Sequence, residues 1–216
     1  MSKQTDAVIA VITEQIDAGG LLPGDPIEEK DMMARCGVSR TPVREALIRL
    51  ETTGLVQRHP RKGAVIFQPS VAEFLAVLEM HANLESFAAG LAAQRITEAI
   101  GDELRANVAA CTAHAADHQN TQPAAYYALN RDFHEIIVRA AGNAVLSQTL
   151  KTNARKLMAY YRERYRQPGA AVASAREHAI IADHILSRRS EAASAAMQAH
   201  FNYDRETVMD LIASVG

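Results

Sequence analysis

Cysteine is scarce: Cys36 and Cys111 are the only two in 216 residues, far apart and in no C-x-x-C pair. That excludes a disulfide framework and a thiolate zinc ribbon, and it fits a reducing compartment. Long apolar runs are missing as well. No stretch approaches the roughly 18 consecutive apolar residues of a membrane span. The first twenty residues interleave Lys3, Asp6, Glu14 and Asp17 with apolar positions, which is a helix pattern and not a signal peptide. The expectation is a cytoplasmic protein with no membrane association. Internal repeats and low-complexity tracts are also absent, apart from an alanine bias that favours helix.

A large excess of charge of either sign is the last absence. The net charge of −2 excludes little, because nucleic-acid binding depends on where cations sit. Their distribution is uneven. Residues 35–63 hold seven cations (Arg35, Arg40, Arg44, Arg49, Arg58, Arg61, Lys62) against two anions (Glu45, Glu51), a local charge of +5. The length suits two compact domains, and the 48% apolar content is enough to give each a core.

The basic segment has a readable architecture. Residues 7–18 place Val8, Val11, Ile12 and Ile16 at helical spacing, and Gly19-Gly20 ends the pattern. Pro23, Gly24 and Pro26 make residues 21–26 a turn, and a short second helix is predicted over 28–35. Cys36-Gly37-Val38-Ser39 reads as a tight turn in which Gly37 follows one helix and Ser39 caps the next. The third helix, 41–52, carries Pro42 in its first turn and Val43, Ala46, Leu47 and Leu50 on one face. Two β-prone runs, 55–58 and 64–67, flank the basic His59-Pro60-Arg61-Lys62-Gly63, predicting a hairpin with a cationic tip. This order of elements is a winged helix-turn-helix.

Beyond Pro69 the pattern becomes helical throughout. Ser70-Val71-Ala72-Glu73 reads as a capping box opening a long helix to about residue 95, and Ser174-Ala175-Arg176-Glu177 repeats the device. Breaks at 97–101, 120–123, 141–143, 167–169 and 189–190 divide the remainder into about six helices. The chain is therefore expected to be mainly α: a winged helix-turn-helix over 1–69 and an antiparallel helical bundle over 70–216. Tyr160, Tyr161 and Tyr165, interleaved with Arg162, Arg164 and Arg166, read as a solvated helix end.

Ser39, Arg40, Thr41 and Arg44 fall on the first turns of the third helix, where a helix in a major groove reads DNA. Arg40 and Arg44, four apart, share a face and can reach guanine edges or phosphates, while Ser39 and Thr41 suit phosphate oxygens. Lys30 can hold the flanking backbone. The segment resembles the GntR-type regulators through Pro23-Gly24, residues 38–47 (Val-Ser-Arg-Thr-Pro-Val-Arg-Glu-Ala-Leu), Arg49-Leu50-Glu51 and Gly54-Leu55-Val56. The resemblance implies that Lys30, Arg40, Thr41, Arg44 and the wing residues Arg61, Lys62 and Gly63 lie on DNA, and that a homodimer addresses a palindromic operator.

In the second region Asn130 and His134 are i and i+4 on one predicted helix, and His178 and His200 lie on two others. Spacing alone leaves two readings: core histidines hydrogen-bonded to neighbours, or imidazoles converging on a divalent metal. Asn130-x-x-Phe133-His134, Ala141-Gly142-Asn143, Glu177-His178 and His200 resemble the FCD domain of the FadR-type branch of GntR regulators. That resemblance implies a metal such as zinc, nickel or manganese on Asn130, His134, His178 and His200, which takes the carboxylate of an organic acid effector. Two positions depart from the family pattern. Asn130 replaces the common Asp, removing one negative charge, and His81 stands where many relatives have an effector-binding Arg four residues before Glu85. His81 is thus the candidate effector contact. The alternative function is a metal-dependent hydrolase or lyase carrying a DNA-binding head, with Glu135 or Glu177 as base. No H-E-x-x-H pattern follows His134, and the chain is expected not to be an enzyme.

Overall fold

The computed structural model describes residues 2–59, 63–118, 122–203 and 205–215. Contacts divide it into two compact units, 1–73 and 74–215.

The first unit begins with α1 (Lys3–Ala18). Its Val8, Ile12 and Ile16 recur at helical spacing and are buried. They pack with Val43, Ala46, Leu47 and Leu50 of α3 (Arg40–Thr52) in the unit's core. Between these helices lies α2 (Glu29–Cys36), which ends at Gly37 in the left-handed region, φ 64°, with the Gly37 N–H donating to Met33 O. A side chain at that φ would crowd the backbone, so the turn between the two helices calls for glycine.

The sheet has three strands and not the two of a simple hairpin. Strands β2 (Val56–His59) and β3 (Gly63–Ile66) pair antiparallel as the sequence predicts, but β1 (Pro26–Ile27) pairs with the other edge of β3, giving the order β1-β3-β2. Pro26 stands at the first position of an edge strand, where a missing N–H is tolerated. The wing-tip residues Arg61 and Lys62 lie outside the described residues.

Coil at 67–70 leads into α4 (Val71–Arg95). The capping box forms: Ser70 N and Oγ both donate to Glu73 Oε2, at 2.9 and 2.7 Å, and Glu73 N donates back to Ser70 Oγ at 3.3 Å. The second unit continues with α5 (Glu98–His118), α6 (Pro123–Ala140), α7 (Ala144–Arg164), α8 (Ala170–Leu186), α9 (Ser190–His200) and α10 (Arg205–Val215). Among the described residues that is seven helices, one more than the expected breaks imply, because a further break follows His200. The break expected at 120–123 lies partly outside the described residues. The unit's main core draws Phe74 and Leu78 from α4, Phe133 and Ile137 from α6, Leu157 and Tyr160 from α7, Ile181 and Ile185 from α8 and Met197 from α9.

Three local expectations are corrected. Ser39 occupies the N-cap position of α3 but makes no side-chain capping hydrogen bond. Ser174 is an interior residue of α8 and fully buried, so it opens no helix; its hydroxyl serves the polar interior described below. Tyr160 and Tyr165 are 2% and 3% exposed, so these tyrosines of the tyrosine-arginine stretch belong to the core, while Arg166 alone of its arginines is exposed. Arg164 lies over the Tyr203 ring, 4.1 Å from its centroid, keeping its charge against an aromatic face.

Candidate DNA-reading face and histidine cluster

Ser39, Arg40, Thr41 and Arg44 are all exposed on the N-terminal end of α3, and Lys30 is exposed on α2. The apolar stripe of α3 turns inward, which leaves this polar face outward. Its arginines are not idle: Arg44 Nε donates to Glu29 Oε1 at 3.1 Å, and Arg40 Nε lies 3.4 Å from Glu29 Oε2. Gly63 opens β3 with φ 71° and open space where a Cβ would project, so backbone conformation and not crowding calls for glycine there. Next to Arg44 on α3, Glu45 accepts from the buried Thr5 Oγ1 at 2.8 Å, tying α1 to α3.

In the second unit the structure brings His134, His178 and His200 together. One candidate ligand atom from each lies within 4.8 Å of the others, and ring centroids are separated by 4.9 to 5.6 Å. His178 and His200 are buried, whereas the His134 side chain keeps 14% exposure. Three helices supply them: α6, α8 and the last residue of α9. Phe133 stacks on the His178 ring at 3.8 Å and 7°, fixing that imidazole in plane.

Two carboxylates orient the cluster. Glu85 Oε2 lies 3.2 Å from His134 Nδ1, and Glu177 Oε2 lies 2.7 Å from His200 Nδ1. An Nδ1–H donated to a carboxylate leaves Nε2 with its lone pair, the form a metal takes. Glu85 is 3% exposed. Burial alone would raise its pKa, but the charge and hydrogen bond of His134, with His81 and His200 adding, hold it below the ordinary carboxylate value. Glu177 is likewise lowered: burial would raise it, but the His200 hydrogen bond and charge, with Arg164 and Arg176, together outweigh burial. Burial depresses His178 well below 6.5, and the two neighbouring imidazoles push the same way. His200 is lowered by burial despite Glu177. Histidines so depressed stay neutral, as ligands must.

The residues present fit a divalent ion. Two nitrogens on one ion at about 2.1 Å are at most about 4.2 Å apart, so a trio within 4.8 Å closes with small side-chain movements. His178 Nδ1 is enclosed with no hydrogen-bond partner, an atom whose burial calls for a partner. Asn130 is buried one turn before His134, and its Oδ1 accepts from Tyr165 OH at 2.7 Å; an amide oxygen has a second lone pair to offer. Tyr165 OH also lies 3.3 Å from Ser174 Oγ, which lies 3.4 Å from His178 Nε2, so a polar chain links Asn130 to His178. His81, 3% exposed, lies 3.7 Å from Glu85 Oε1, with its ring edge-on to Phe201. Enclosed atoms without partners at His81 Nδ1, Tyr161 OH and Arg164 Nε add further polar lining.

Glu85, Glu177, Tyr165 and Ser174 are the site residues that sequence reading missed in these roles. Glu177 neighbours His178, yet adjacent helix positions diverge by about 100°, and it serves the histidine of another helix instead. Glu85 carried a signal in its spacing: it is i+4 from His81 on α4.

Comparison with known proteins decides what carries these two sites. The pattern of the bacterial regulatory proteins, gntR family, matches residues 4–66, and that of the FCD domain matches residues 76–203. The chain belongs to the GntR family, with an FCD domain. An uncharacterised HTH-type transcriptional regulator of Bacillus subtilis, YdhC, is 30% identical over 197 residues, covering 90% of this chain and 86% of that protein. The HTH-type transcriptional repressor RspR of Escherichia coli is 31% identical over 127 residues, covering 56% of this chain and 52% of RspR. The structure of E. coli McbR/YncC has the same fold, with a TM-score of 0.78 over 100% of both chains at 17% identity. This GntR protein is thus a transcriptional regulator and not an enzyme, which removes the hydrolase or lyase alternative. Among the described residues no helix is long and apolar enough to cross a membrane.

Proposed function

We propose that this GntR regulator acts in the cytoplasm as a homodimer on a palindromic operator, and that a small organic acid, held through a divalent metal in the FCD domain, alters its DNA affinity. The observation that carries the reading is the trio His134, His178 and His200, in which His134 and His200 are each backed by a carboxylate. Asn130 completes the proposed ligand set. A bound divalent ion would supply a positive centre for an effector carboxylate. His81, kept neutral by burial with its pKa down to about 4, offers a hydrogen bond where an arginine would offer charge. Tyr161 OH and Arg164 Nε, enclosed and without partners, suit further polar groups of the acid.

At the other end Ser39, Arg40, Thr41 and Arg44 would read the major groove. Lys30 would hold flanking phosphate, with Arg61, Lys62 and Gly63 of the wing on the backbone nearby. Two recognition helices must meet successive grooves about 34 Å apart, so effector binding that biases the placement of the heads changes operator affinity. The coil at 67–70 is the natural hinge.

The test pairs metal analysis with operator binding by the full-length protein. Wild type should purify with, or take up, about one divalent ion per chain and change its operator affinity on addition of a matching acid. His134→Ala combined with His178→Ala should lose the ion and the response while keeping operator binding. An unchanged response in that double variant would overturn metal-mediated sensing.

A further inference from the structure

One carboxylate touches both arginines of the proposed reading face. Glu29, the first residue of α2, places Oε1 and Oε2 at 3.1 and 3.3 Å from Arg44 Nε, and Oε2 at 3.4 Å from Arg40 Nε. The arginine side chains are 58% and 54% exposed and Glu29 is 29% exposed. Arg49–Asp6 and Arg58–Glu51, elsewhere in the unit, are one-to-one pairs. Glu29, by contrast, is shared by two guanidiniums.

The point of attachment matters. A guanidinium carries five N–H donors in a planar fork; Arg44 is hydrogen-bonded to Glu29 at Nε, and Arg40 faces the same carboxylate with its Nε as an ion pair. Their terminal Nη groups remain free to meet a guanine O6/N7 edge end-on. The tether also removes rotamers from two long, solvated side chains before DNA arrives, a form of preorganisation. Two cations sharing one anion present less charge to phosphate than two alone. On a duplex without matching bases, Arg40 and Arg44 would have to swing away from Glu29 to reach phosphates, leaving an unpaired carboxylate against a polyanion. Matching bases impose no such loss.

We propose that Glu29 is a positioning and specificity-determining residue for operator reading: it aims Arg40 and Arg44 by their Nε atoms and disfavours their use on phosphates. The proposal rests on the assignment of those arginines to base contacts. It describes how the face discriminates between duplexes, where stability alone would give an exposed pair little consequence.

The test uses the full-length protein and an operator selected from random duplexes. Affinities for that operator and for a scrambled duplex are measured across a salt series for wild type, Glu29→Gln, Glu29→Asp, Arg40→Ala and Arg44→Ala. Glu29→Gln should bind scrambled DNA more tightly, with a salt slope steeper by up to about one. Its operator-to-scrambled ratio should fall by at least about fivefold, the low end of what one lost base contact costs. A fresh selection with Glu29→Gln should relax base preference at the positions that Arg44→Ala relaxes, which a merely structural residue would not do. Glu29→Asp keeps the charge but withdraws the carboxylate by one methylene, so its ratio should fall without the steeper slope. Should Glu29→Gln not fold, Glu29→Asp carries the test.

A ratio in the Glu29 variants within about fivefold of wild type, while Arg44→Ala loses discrimination, would overturn the role of Glu29 and leave the arginine assignment standing. If Arg40→Ala and Arg44→Ala both keep wild-type discrimination, the arginine assignment fails and the role of Glu29 falls with it.

Discussion

Both units carry solvated ion pairs, but the second also encloses a cluster of ionisable side chains. In the first, Arg40, Arg44, Arg49 and Arg58 pair with Glu29, Asp6 and Glu51 at the surface, each guanidinium about half exposed. In the second, Glu85, His81, His178 and His200 are almost wholly buried and meet one another in the interior. Solvated pairs are individually weak and screened by salt, so they can orient exposed guanidiniums while contributing little stability. Buried groups cannot lose a partner without a desolvation cost, which suits a site whose geometry has to be held. Carboxylates thus meet solvated guanidiniums in one unit and buried imidazoles in the other.

Four experiments would break or sharpen this contrast. All six tyrosines lie between residues 126 and 203 and the chain has no tryptophan, so intrinsic tyrosine fluorescence reports unfolding of the helical unit alone. The largest effect is expected from Phe133→Ala, which removes a fully buried ring and the plate on which His178 stacks. The helical unit should lose roughly 3–5 kcal/mol in urea titrations followed by tyrosine emission; a loss below about 1 kcal/mol would mean that the interior is not held as described.

Acid should come next. The pKa of His81 falls from 6.5 to about 4 on folding, because of burial. The unfolded chain therefore takes up the proton first, so stability is complete above about 6.5 and is lost as pH falls toward about 4. The loss from this residue approaches about 3 kcal/mol at the lower end, and His178, depressed for the same reason, adds to it. Stability by tyrosine emission that stays flat across this window would contradict the buried, neutral assignment.

Glu85→Gln should weaken divalent-ion binding by about 10- to 100-fold, the usual consequence of losing a carboxylate behind a ligating imidazole, and leave ligand-free operator affinity within about twofold. Isothermal titration with zinc or manganese, beside a DNA-binding curve, measures both. The smallest effect belongs to the surface: Asp6→Asn breaks the 2.6 Å contact with Arg49 yet should cost no more than about 1 kcal/mol in urea titrations followed by circular dichroism, diminishing with added salt. A larger, salt-insensitive loss would erase the distinction between the units.

Much of the DNA-binding unit was legible because its signals are local. Gly37, Pro42 and the apolar positions Val43, Ala46, Leu47 and Leu50 specify a turn and one helix face without reference to distant residues. Pro26 reads as the end of a turn, and two residues carry no strand periodicity; only pairing with Val65 and Ala64 across the chain makes Pro26 and Ile27 a strand. In the helical unit the three histidines were marked by family resemblance, since spacing alone left them as ordinary core residues. Glu85 and Glu177 escaped because their partners, His134 and His200, sit on other helices, and no periodicity within one helix encodes that. Ser174 carried the letters of a capping box, but α8 starts four residues earlier, so the serine turned inward to Tyr165 and His178.

The unequal exposure of the histidine trio bears on the order of loading as well as on affinity. His178 is sealed under Phe133 and the His200 side chain is 3% exposed, so His134 is the imidazole of the three that solvent reaches. A divalent ion taken up there would meet His134 before the two enclosed rings, and its loading would proceed inward one ligand at a time.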